Sequence, residues 1–173
     1  MKAKFTMVGI ILPVVLVLDR MTKRWAESSL GGRRMELLDG LVPLTLAHNR
    51  GAAFGIELGS NPRVFFIPIT ILALVLLGAL LVQAGKRDYL RVLALSLVIS
   101  GALGNLYDRI TNVLGVVDFI GPINLGFMHW PIFNVADMAI TTGAVLLALS
   151  FWMEERAGET EEPEPNPVPE PSG

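Results

Sequence analysis

Two carboxylates stand out in this sequence by their surroundings. Asp118 lies in Val116-Val117-Asp118-Phe119-Ile120. Asp137 lies in Phe133-Asn134-Val135-Ala136-Asp137-Met138-Ala139-Ile140, at the head of an apolar run that continues through Val145, Leu149, Phe151 and Trp152. A carboxylate in such a setting is costly unless it is paired or does chemistry. Two brought together cannot both ionise readily; sharing one proton, they can serve as base and acid toward a water molecule, the minimal equipment of an aspartyl protease. An ordinary reading fits the spacing as well. Asp137 would favour a helix N-terminus capped by Asn134, and Asp118 would be a loop residue. Spacing alone leaves both readings open.

A further constellation is Gly101-Ala102-Leu103-Gly104-Asn105-Leu106-Tyr107-Asp108-Arg109, in which Asn105 and Arg109 stand one helical turn apart on one face. Arg109 could simply snorkel to lipid headgroups, or Asn105 and Arg109 could donate hydrogen bonds to a substrate backbone or to the carboxylates. Asp19 and Lys23, four apart, also share a face. Other chemistries find no support. The chain has no Cys, which excludes disulfides and thiolate chemistry, and its two His, His48 and His129, have no metal-ligand spacing. No Gly-x-Ser-x-Gly elbow, phosphate-binding loop or Gly-x-Gly-Asp pattern is present. The sequence therefore calls for neither metal nor cofactor.

The elements that must position these residues follow from composition. At 52% hydrophobic residues, 17% charged and a mean hydropathy of +0.55, the chain is too apolar for a soluble domain and suits an all-α, multi-pass membrane protein. Lys2 and Lys4 precede an apolar run over 5–18 in the manner of a signal peptide. No small-x-small cleavage site follows, and Asp19, Arg20, Lys23 and Arg24 arrive at once, so a retained first helix over about 5–25 is predicted. Further spans are predicted over 64–83, where Pro68 is tolerated in the first turns, over 90–107, where Gly101, Ala102 and Gly104 suit close packing, and over 134–153. The connection 26–62 contains the strand-like Leu41-Val42-Pro43-Leu44-Thr45-Leu46 and several turn signals. A small sheet or cradle on the membrane surface is expected there, with Asn49-Arg50-Gly51-Ala52-Ala53-Phe54 in it. The segment 108–131 reads as loop. Residues 154–173, with seven Glu and five Pro, read as a disordered tail without a part in the chemistry.

That tail carries a formal charge of −6 out of a total of −2, so the remainder is +4, which suits contact with anionic headgroups and requires no nucleic acid. Four spans put both termini on one side. Lys2, Lys4, Lys86, Arg87 and Arg91 would mark that side cytoplasmic, but the first connection is equally rich in Arg and Lys, and the charge rule does not decide.

Five blocks in register make the chain resemble the lipoprotein signal peptidases, the type II signal peptidases of bacteria, over nearly its whole length to about Met153. They are Leu18-Asp19-Arg20-Met21-Thr22-Lys23, His48-Asn49-Arg50-Gly51-Ala52-Ala53-Phe54, the Gly101-to-Arg109 block, Val116-Val117-Asp118-Phe119 and Phe133-to-Ile140. The acidic Pro-rich tail departs from the pattern. The resemblance implies a metal-independent membrane endopeptidase that cuts diacylglyceryl-modified prolipoproteins just before the lipidated Cys. Asp118 and Asp137 would be its catalytic pair. Asn105, Arg109 and Asn134 would orient the pair and bind the substrate main chain, Asp19 and Lys23 would support the site from the first helix, and Asn49 and Gly51 would shape the cradle. It further implies a monomer in the bacterial inner membrane, in contact with its lipids, with the site at the outer leaflet and both termini cytoplasmic. The rivals are a small transporter or channel subunit that relays protons through its acids, and a membrane scaffold. A loop position for Asp118 counts against a relay.

Overall fold

The computed structural model describes residues 2–51, 62–85 and 88–159. Four helices dominate it: α1 (Lys2–Ser29), α2 (Arg63–Gln83), α3 (Tyr89–Thr111) and α4 (Val135–Glu159). Each contains a stretch long and apolar enough to cross a membrane. α3 is the central helix and packs against the other three. Small residues allow this. A Cβ on Gly101 would run into the Ala136 carbonyl oxygen, and one on Gly143 would lie 2.7 Å from the Ala94 carbonyl oxygen, so the α3 and α4 backbones approach as closely as glycine permits. α2 has no buried residue and a mean hydropathy of 2.8, as befits a helix facing hydrocarbon. Polar ties hold its two ends. Arg63 donates to the Asn112 carbonyl at one, and Lys4 Nζ donates to the Val82 and Ala84 carbonyls at 3.1 and 3.0 Å at the other.

The connections form two small antiparallel sheets. The larger has the order β1-β2-β3, from β1 (Arg34–Leu37), β2 (Val42–Asn49) and β3 (Val116–Ile120); the smaller pairs β4 (Ile123–Asn124) with β5 (His129–Trp130). The expected strand over 41–46 corresponds to β2. The loop assignment of Asp118 is overturned: it lies within β3, opposite Ala47 of β2. The five residues Val116 to Ile120 form a short continuous apolar run interrupted only by Asp118, the signature of a strand covered on both faces, and four of the five are buried. The sheet rests on the end of α1. Ala26, Leu30, Leu44 and Phe119 form its core, joined by Val42, Leu46, Ile120 and Val135, and Trp25 meets the Phe119 ring edge-on at 6.3 Å.

The helices run past the predicted ends. α4 continues from Met153 to Glu159, and its polar extension has partners: Glu154 pairs with Arg91 at 2.6 Å, and the Arg156 guanidinium lies 4.6 Å from the Trp152 ring centroid. Ala52, Ala53 and Phe54 of the fourth-to-sixth positions of the Asn49 motif, Lys86, Arg87 and residues 160–173 of the tail lie outside the described residues.

Candidate active site

The site forms where β3 crosses the start of α4, and Asn134 joins the two. Asn134 caps α4: its side-chain oxygen accepts from the Asp137 N–H at 2.9 Å, while Asp137 Oδ2 accepts from the Asn134 N–H at 3.1 Å. This reciprocal pair is a capping box with Asp in the place of the usual Glu. The Asn134 amide group meanwhile donates to Asp118 Oδ1 at 2.6 Å. One wholly buried residue thus holds both carboxylates.

Asp118 is buried, Asp137 half-buried. Burial pushes the Asp118 carboxyl up from 3.8 to about 6, and the charge of Asp137 adds to the shift; hydrogen bonds from Asn49 and Asn134 oppose it. Asp137 Oδ1 accepts from Asn105 Nδ2 at 2.7 Å. Asp137 therefore receives two N–H donors and sits in the first turn of α4, where the helix dipole favours negative charge.

Behind Asn105 lies a buried ion cluster. Asn105 Oδ1 accepts from Asn134 Nδ2 and from Lys23 Nζ, both at 3.1 Å. Lys23, with no exposed surface, pairs at 2.8 Å with each of Asp19 and Asp108. Asp19 then reaches α4, its Oδ1 accepting from the Ala136 N–H at 3.0 Å. An added Cβ on Gly104 would lie 2.7 Å from the other Asp19 oxygen, so this glycine makes room for the cluster. Asp108, 1% exposed, also accepts from the Val117 N–H at 3.4 Å and thereby ties α3 to β3.

On the other flank, Asn49 at the end of β2 accepts the Gly51 N–H at 2.8 Å and bonds Asp118. Gly51 takes φ +105°, a conformation that disfavours side chains, and an added Cβ would run into the Phe66 ring. Over the same ring, 5.3 Å from its centroid, lies the Arg109 guanidinium, in the field of Asp137 and Asp118. Among the described residues Arg109 makes no hydrogen bond or ion pair. A cavity of about 340 Å³ opens beside Asp137, lined by Trp130, Phe133, Met138, Thr141 and Thr142.

The structure thus brings Asp19, Lys23, Asn49, Gly51, Asn105, Arg109, Asp118, Asn134 and Asp137 to one end of the bundle. The expectation that Asn105 bonds the pair holds for Asp137; Arg109 reaches neither acid by hydrogen bond. Sequence reasoning passed over Asp108 as a site residue, although its position between Asn105 and Arg109, i and i+3 from Asn105, put it on the same helix face. Among the described residues, no three His, Cys, Asp or Glu side chains converge to hold a metal ion.

The family model of signal peptidase (SPase) II, peptidase family A8, matches residues 11–153. The chain belongs to the signal peptidase II family. A lipoprotein signal peptidase of Hydrogenovibrio crunogenus is 43% identical over 159 residues, covering 86% of this chain and 90% of that protein. One of Maridesulfovibrio salexigens is 39% identical, covering 86% and 97%. A bacterial membrane enzyme solved by the in meso method superposes with a TM-score of 0.75 at 32% identity, over 83% of this chain and 91% of that one. The match of the SPase II family spans α1 through most of α4, and so contains every residue of the site.

Proposed function

We propose that this chain is the endopeptidase that removes the signal peptide from diacylglyceryl-modified prolipoproteins, cutting just before the lipidated Cys, with Asp118 and Asp137 as its catalytic pair. The observation that carries this reading is the bridge through Asn134, which hydrogen-bonds both carboxylates at the foot of a membrane-spanning helix. Family membership supports the peptidase activity; the names of the relatives support the substrate class.

The environments support a division of roles. Asp118, buried and pushed up to about 6, holds the shared proton; Asp137, with two N–H donors and the helix N-terminus, carries the charge. A water between them gives its proton to Asp137 as its oxygen bonds to the scissile carbonyl carbon, while Asp118 protonates the carbonyl oxygen. Collapse of the tetrahedral diol breaks the C–N bond. Asp137 passes its proton to the leaving amine of the Cys, Asp118 recovers one from the diol, and the pair returns to its starting state. No acyl-enzyme and no metal are needed. The cavity beside Asp137 seats the side chains flanking the scissile bond, and the unengaged N–H groups of Arg109 meet the substrate main chain. In this reading the sheet end faces the outer leaflet of the inner membrane and both termini are cytoplasmic, so the substrate's lipid stays in the bilayer while its scissile bond reaches the pair.

Purified full-length protein in lipid nanodiscs should cleave a diacylglyceryl-modified prolipoprotein and leave the unlipidated precursor uncut. Asp118→Asn and Asp137→Asn should each insert normally and cut neither. Full activity in either variant would refute the pairing, and loss of cleavage on chelation would point to a metal mechanism.

A further inference from the structure

A cavity of about 550 Å³ lies apart from the carboxylate pair. It is a groove between α1 and α3, and it shares no lining residue with the cavity beside Asp137. Its wall is apolar, with Leu16, Leu103 and Ile110, and its mouth carries two arginines, Arg20 and Arg24, one turn apart on α1. α1 and α3 are each long and apolar enough to cross a membrane, which would set the groove against lipid.

The cations are arranged to receive an anion. The Arg20 guanidinium is held 4.9 Å from the Tyr107 ring centroid and 3.7 Å from Asp108, which orients it while leaving it 37% exposed. Arg24 is exposed and has no ion-pair or hydrogen-bond partner among the described residues. Asp19 and Asp108 in the wall share Lys23 at 2.8 Å each and Arg20 balances the remaining charge from 3.7 Å, so this cluster is neutral and Arg24 gives the mouth its net positive charge. Leu16 lies eight residues before Arg24, and at ~1.5 Å rise per residue that sets the apolar wall ~12 Å deeper than the outer arginine. A charged head above two hydrocarbon tails fits this profile. We infer that the α1–α3 groove binds one anionic glycerophospholipid, its phosphodiester on Arg20 and Arg24 and its acyl chains against Leu16 and Leu103. A diacylglyceryl group carries no charge and would leave Arg24 unanswered, which separates this site from the seat of a lipidated substrate. The assignment does not depend on the roles given to Asp118 and Asp137.

Native mass spectrometry of the full-length protein, released from micelles containing equimolar dioleoylphosphatidylglycerol and dioleoylphosphatidylcholine, tests it. The wild-type chain should retain one phosphatidylglycerol in preference to phosphatidylcholine. Arg24→Gln, at a side chain that supports nothing in the fold, should weaken retention about five-fold, the effect expected of one arginine at an anionic lipid surface, while Arg24→Lys keeps most of it. Ile110→Trp, placed to fill the groove from an exposed position, should remove the bound lipid. Equal retention of the two lipids, undiminished binding by Arg24→Gln, or a bound lipid persisting in Ile110→Trp would each overturn the inference. Displacement by millimolar inorganic phosphate would do so too, by showing a site for a free anion.

Discussion

Replacing Asp118 by Asn should abolish cleavage and yet make the protein more stable at neutral pH. The folded protein holds this carboxyl at about 6 against an ordinary 3.8, first because it is buried, at 3% exposure, and then because Asp137 repels its charge. A group whose folded-state pKa is raised binds its proton more tightly folded than unfolded. Its stabilising contribution is therefore complete below pH 3.8 and is lost as pH rises toward 6. At 1.36 kcal/mol per pH unit, the loss amounts to about 3 kcal/mol. Asn keeps the shape and never ionises, so the stability of Asp118→Asn relative to wild type should climb by about 3 kcal/mol between pH 4 and pH 7, and level off above. Equilibrium denaturation in mixed micelles measures this, with the fluorescence of Trp25, packed on Phe119 next to Asp118, as the probe. An inactive but stabilised variant separates lost chemistry from lost fold. Parallel stability curves for the two proteins, or a gap that narrows as pH rises, would refute the claim that Asp118 is held against ionisation.

Lys23→Met should destabilise the protein by about 3–5 kcal/mol, because it leaves Asp19 and Asp108 buried without a counter-charge; adding Asp108→Asn to the same chain should recover a large part, as read by the same denaturation. Gly101→Val should part α3 from α4, since its side chain would meet the Ala136 carbonyl and Ile140, with a cost of about 1–3 kcal/mol and a matching fall in the thermal midpoint. Removing residues 160–173 should leave insertion and cleavage unchanged in a nanodisc assay, as their acidic, Pro-rich composition cannot build a core.

The helices were legible because crossing a membrane takes a long apolar run, and four such runs are plain in the chain. Their ends were not: Glu154, Glu155 and Arg156 look like the start of a polar tail, and only the contacts of Glu154 with Arg91 and of Arg156 with Trp152 show why the helix continues. β3 was missed because a five-residue apolar run carries too little periodicity to separate strand from loop, and its pairing partner lies about seventy residues earlier in β2. The pair Asp118 and Asp137 could be suspected from cost alone; the hydrogen bonds show the capping reading of Asn134 and Asp137, a geometry compatible with the catalytic reading proposed for the pair. What helix-face spacing could not supply is the partner of Asp108. An acid at a helix end needs no explanation in sequence; its contact with Lys23 is tertiary and spans α1 and α3.

The charges gathered at this end of the bundle bear on how many protons the pair holds. Lys23 and Arg20 offset Asp19 and Asp108, which leaves Arg109 as the counter-charge to the two acids. With one shared proton the pair carries a single negative charge and the site is neutral; loss of that proton would leave a net negative charge in a poorly solvated place. On the proposed mechanism Arg109 would do more than offer N–H groups to a substrate: its field would sustain the one charge the mechanism uses. Substituting Arg109 by Gln keeps a hydrogen-bond donor but removes the field. The acid limb of the kcat/KM profile, set by the carboxylate that must be ionised to accept the water proton, should then move to higher pH, and Arg109→Lys should restore its position even where it does not restore the rate. A Gln variant that is slower with an unmoved profile would confine Arg109 to gripping the substrate and leave the single charge to the N–H donors of Asn105 and Asn134 alone.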